Sequence, residues 1–90
     1  MSLLNISNME IRLMTFFYEL YKFYQSEDIL YPLNQQQVRE LLRIGKTNMI
    51  RLVQNLKAKG WLEDFSYGHI RLRNIHAIAK AIERYPYSVT

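Results

Sequence analysis

Thr47, Ile50, Arg51 and Gln54 recur at helical spacing and form a mostly polar stripe on a segment that begins near Lys46. Residues of these types can read the edges of base pairs. An arginine fork donates two parallel hydrogen bonds to guanine O6 and N7, a pairing worth roughly 1–3 kcal/mol of discrimination. Threonine and isoleucine carry methyl groups that match the methyl of thymine. Lys46, Thr47, Ile50 and Arg51 are therefore candidates for base contact. Asn34, Gln35, Gln36, Asn48, Gln54, Tyr67 and His69 are candidates for phosphate contact, together with the free amides that open a helix. Lys57 and Lys59 lie at the far end of the same segment.

Holding such a stripe requires two short helices and a tight turn. Asn34 is placed to cap the first, with Gln37 three residues on as the reciprocal partner of a capping box. Val38, Leu41 and Leu42 then share one face. Arg43-Ile44-Gly45 is the turn, and Gly45 is expected to take the backbone angles closed to other residues. In the second helix Met49, Leu52, Val53 and Leu56 face the core, and Gly60 ends it. Residues 34–60 thus read as a helix-turn-helix whose second helix fits a major groove.

Upstream, Ser7 and Glu10 have capping-box spacing and open a first helix over 8–25, after a flexible or vector-derived start at 1–7. This helix is apolar on two faces. Leu13, Phe16, Phe17, Leu20 and Tyr24 form one stripe. Ile11, Met14, Tyr18 and Tyr21 form another, expected to be exposed and to hold a second copy or a further domain. Ile29 to Leu33 is a short strand candidate that Pro32 confines to a sheet edge. Residues 61–73 are two strands around Ser66-Tyr67-Gly68-His69, a hairpin signal, with Ile70 and Leu72 facing opposite to His69, Arg71 and Arg73. Residues 74–85 are a last helix capped by Asn74, with Ile75, Ile78, Ala79 and Ile82 on one face, stopped before Pro86. The expected fold is one domain, 1–90, mainly α with a small β wing: a winged helix-turn-helix.

Charge follows the same division. The net charge of +4 is concentrated in residues 34–60, where Arg39, Arg43, Lys46, Arg51, Lys57 and Lys59 face Glu40 alone. That asymmetry points to a polyanion. Arg39 and Arg43 themselves read as solvated. No cysteine is present, which removes disulfides and thiolate chemistry and fits a reducing cytoplasm. Charges interrupt every apolar run, so no membrane span is expected. Two isolated histidines, no phosphate loop and no triad disfavour a metal site, a cofactor or an enzyme.

From the first helix to the second strand of the wing the chain resembles the DNA-binding domain of the cyclic-AMP-receptor/fumarate-nitrate-regulator (Crp/Fnr) family of bacterial transcription factors. Leu33, Val38, Leu41, Leu42, Met49 and Leu56 match the core positions of its helix-turn-helix without gaps, and Lys46 and Arg51 its two basic positions. Gly60-Trp61-Leu62 and Gly68-His69-Ile70-Arg71-Leu72 match its strands. The departures are Arg39 for a small residue, Arg43 for the turn glycine, Gly45 for the serine cap and Thr47 for glutamate. The resemblance implies duplex DNA, a second copy and RNA polymerase as partners, and an effector ligand only on an N-terminal domain outside this chain. The competing expectation is a protein-assembly module, as in replication initiation, that works through its aromatic first helix.

Overall fold

The computed structural model describes residues 8–85. Along the chain run α1 (Met9–Tyr24), β1 (Asp28–Ile29), α2 (Gln35–Leu42), α3 (Lys46–Ala58), β2 (Leu62–Ser66), β3 (His69–Leu72) and α4 (Ile75–Arg84). The fold is mainly helical with one small antiparallel sheet, in strand order β1-β3-β2.

α1 begins one residue later than its capping signal suggests. Asn8 is the cap, its Oδ1 accepting from the Ile11 amide at 3.1 Å. Asparagine caps as well as serine does. Ser7 and the start at 1–7 lie outside the described residues. Both apolar faces of α1 are used inside the domain. Ile11 and Met14, expected on an exposed stripe, are buried with Leu13, Phe16 and Phe17, Met14 being only 2% exposed. The reason is α4, which packs against α1 and brings Ile75 and Ile78 into the same core. Tyr18 and Tyr21 stay half-buried and stack on each other, ring centroids 6.1 Å apart.

β1 is shorter than expected and starts one residue earlier, leaving Pro32 outside the strand. It lies at the sheet edge, pairing Ile29 with Ile70 of β3. β2 and β3 form the expected hairpin, closed at Ser66 and His69, with Gly68 at a φ of 78°. A bulge opposite Leu72 and Arg71 falls between Leu62 and Asp64. Strict alternation would send Phe65 to the face opposite Leu62. The extra residue resets the pleat, so Leu62 and Phe65 are both buried while Glu63 and Asp64 both stay toward solvent.

At the start of α4, Asn74 occupies the cap position but does not cap with its side chain. Its Nδ2 donates to the Gly60 carbonyl at 3.2 Å, tying the start of α4 to the end of α3. No helix among the described residues is long and apolar enough to cross a membrane.

Candidate nucleic-acid interface

α2 opens with the full capping box: the Gln37 amide donates to Asn34 Oδ1 at 2.8 Å, and the Asn34 amide to Gln37 Oε1 at 3.0 Å. Its other end departs from expectation. Arg43, not Gly45, takes the left-handed conformation, with φ 57°, while Gly45 sits at φ −65° as the cap of α3. Around Arg43 the Ile44 amide donates to the Arg39 carbonyl at 2.9 Å and the Arg43 amide to Glu40 at 3.2 Å. That is a Schellman closure. It turns Ile44 into the core, at 2% exposure, and this burial outweighs the strain of a non-glycine residue. The carbonyls left at this end are met from α1, where Arg12 Nη1 donates to Leu42 at 2.8 Å. Arg12 carries no local signal, because its partner is 30 residues away.

α3 is set against the core by Met49, Leu52, Val53 and Leu56, all buried. Leu41 of α2, expected beside Val38 and Leu42, is instead 54% exposed, and only Val38 and Leu42 of this short helix are buried. The outward face of α3 carries Lys46, Thr47, Ile50, Arg51 and Gln54, all exposed. Arg51 Nη2 donates to Asn48 Oδ1 at 3.1 Å, which holds the guanidinium along its own helix. Between α2 and α3 runs a groove of about 400 Å³ lined by Gln35, Gln36, Arg39, Lys46, Met49 and Ile50. Arg39, read from the sequence as simply solvated, belongs to this groove. Among the described residues, Arg39, Arg43, Lys46, Arg51 and Lys57 make no ion pair.

The phosphate candidates divide. Gln36 and Gln54 are exposed. Asn34 is taken up by the capping box. Gln35 Nε2 donates to the Phe65 carbonyl at 2.8 Å, fastening α2 to β2. Asn48 is half-buried, its amide against Met9 and its oxygen against Arg51. Tyr67 stands exposed at the hairpin tip.

His69 is committed elsewhere. Nδ1 meets Asp64 Oδ2 at 2.6 Å, and Nε2 meets Asp28 Oδ1. An ionised carboxylate only accepts, so this arrangement favours the protonated ring, in which both nitrogens donate. Asp64 and Asp28 accordingly raise the His69 pKa above its usual value, and the bonds from His69 hold both carboxyls below theirs. Arg71 completes the set, reaching Asp28 at 3.1 Å and Glu63 at 3.4 Å, with Arg73 on Glu63 at 3.1 Å. The outer face of the sheet is thus neutralised within itself: Asp28, Glu63 and Asp64 against His69, Arg71 and Arg73. The two carboxylates on His69 sit on opposite ring nitrogens and do not converge on a common ion. No group of three potential metal ligands is present among the described residues.

No protein-family model matches the chain, and neither does any curated protein or solved structure.

Proposed function

We propose that this chain is a winged-helix DNA-binding domain that lays α3 in the major groove of duplex DNA, in the service of transcriptional control. The observation that carries the reading is the set of unpaired cations, Arg39, Arg43, Lys46 and Arg51, on α2, α3 and their turn. Three features support it: the exposed outer face of α3, the three-stranded order β1-β3-β2, and a hairpin placed straight after the second helix of the pair. Arg51 is the base reader of this scheme and Lys46 its neighbour at a base edge or phosphate. Gln36, Arg39 and Gln54 hold the backbone. The Crp/Fnr resemblance supplies the regulatory role. Its departure at Thr47, where the family has a glutamate that accepts from cytosine, gives this domain its own target sequence.

The test is a titration of labelled duplex DNA at several salt concentrations. Neutralising roughly four to six phosphates releases condensed counterions, so log affinity falls with log salt at a slope of about −4 to −5. No binding at low salt, by monomer or dimer, overturns the proposal.

A second reading, a protein-assembly module, draws on Phe23, Tyr24, Leu30 and Tyr67, large apolar side chains that face solvent. Phe23 and Tyr24 sit edge to face at the end of α1, centroids 4.9 Å apart. This reading ranks below the first, since it leaves the cationic α2–α3 surface without a role.

A further inference from the structure

Ile50 is an aliphatic side chain in a polar and cationic frame. It is 48% exposed and shares its groove with Gln35, Gln36, Arg39 and Lys46. The packing of α3 does not call for it, because Met49, Leu52, Val53 and Leu56 already fill the inward stripe. Helix formation does not call for it either, since a β-branched residue is a poorer helix former than alanine or glutamine. What an exposed isoleucine supplies is apolar surface for something that arrives. Arg39 and Lys46, both without an ion pair among the described residues, make that arrival anionic around its apolar group.

On the floor of a major groove, the apolar group available is the C5 methyl of thymine. We infer that Ile50 reads a thymine methyl, at a base pair neighbouring the guanine that Arg51 reads. The inference rests on the DNA-binding reading above and deepens it. Ile50 and Arg51 are successive residues, set about 100° apart around the helix, so one faces the α2 side of α3 and the other the far side. Arg39 and Lys46, on the α2 side, then hold the phosphates that flank the thymine. Preferred duplexes therefore carry a thymine beside the guanine.

Duplexes enriched from a random pool give the preferred site. Each thymine in it is replaced in turn by deoxyuridine, which removes only the methyl. Wild type and Ile50→Ala are titrated against the set at one fixed salt concentration. Circular dichroism checks that the variant folds, as expected for alanine at an exposed helical position. One thymine should emerge whose replacement costs wild type about fourfold in affinity, the size of one buried methyl-sized group, and costs Ile50→Ala nothing. If no thymine distinguishes the two proteins, the assignment is overturned and DNA reading still stands. If Ile50→Ala weakens every duplex alike, with or without the methyl, Ile50 packs on sugar and phosphate and the assignment is again overturned. A pool that yields no enrichment removes both the assignment and the DNA reading, and leaves the groove to an acidic protein partner.

Discussion

The outer face of the sheet and the outer surface of α2 and α3 both carry charge, and they dispose of it in opposite ways. On the sheet, Asp28, Glu63 and Asp64 are each bonded to His69, Arg71 or Arg73, and the β2 bulge is what brings Glu63 and Asp64 to the same face. On α2, α3 and their turn, Arg39, Arg43, Lys46 and Arg51 stand without carboxylate partners among the described residues. Paired surface ions add little stability each, but they cancel one another's field and have nothing left to offer a polyanion. Unpaired cations keep their field. The difference separates a face whose charges fasten three strands together from a face whose charges stay open to solvent, although both read as charged and polar.

Single substitutions break or sharpen this contrast. The largest effect is expected at Arg51. Arg51→Ala should cost about 1–3 kcal/mol on the preferred duplex and relax choice at one base pair. Arg73→Ala, on the sheet, should leave the affinity for every duplex unchanged. Binding to a panel of single-base variants reads both, and an equal loss in the two proteins would erase the distinction. Should Arg51→Ala weaken all sequences alike, Arg51 is a phosphate clamp.

A smaller effect is expected at the groove. Arg39→Ala or Lys46→Ala should weaken binding to all sequences and lower the magnitude of the salt slope by about one. Arg71→Ala should leave the slope where it was. A change of slope in Arg71→Ala would show that the sheet reaches the DNA backbone.

The sheet network should declare itself in stability instead. His69 has its pKa raised by Asp64 and Asp28, so its contribution is complete below the ordinary histidine value of about 6.5 and is lost as pH rises through the raised value. Asp28 and Asp64 have theirs lowered by His69, so their contribution is present above the ordinary aspartate value of about 3.9 and is lost as pH falls through the depressed values. Denaturant midpoints should therefore be highest between those limits and decline on the alkaline side. His69→Gln should flatten the alkaline decline without altering the salt slope of DNA binding. An alkaline decline that survives His69→Gln would place its origin elsewhere.

The smallest effect is at the turn. Arg43→Gly relieves a left-handed residue and should raise stability by up to about 1 kcal/mol, offset in part by the greater freedom of glycine in the unfolded chain. Thermal unfolding measures it. A loss of stability would mean that the Arg43 side chain contributes more to the turn than its backbone strain costs.

Much of this architecture is written locally. The Asn34–Gln37 capping box, the inward stripe Met49, Leu52, Val53 and Leu56, the hairpin at Gly68 and the apolar face of α4 depend on partners within a few residues. Periodicity and steric preference register such partners directly. The outward set on α3, Lys46, Thr47, Ile50, Arg51 and Gln54, follows from the same periodicity, since the inward stripe leaves those positions to solvent. Other assignments belong to tertiary structure. Ile11 and Met14 look like a free stripe until α4 packs against α1. His69 looks like a hairpin-tip contact until β1 and the β2 bulge bring Asp28 and Asp64 to its two nitrogens. Gly45 looks like the residue that must turn, yet the burial of Ile44 and the reach of Arg12 from α1 move the left-handed position to Arg43. Each depends on a group far along the chain, and a spacing rule that spans a few residues holds no information about which distant side chain will cover a face, neutralise a charge or satisfy a carbonyl.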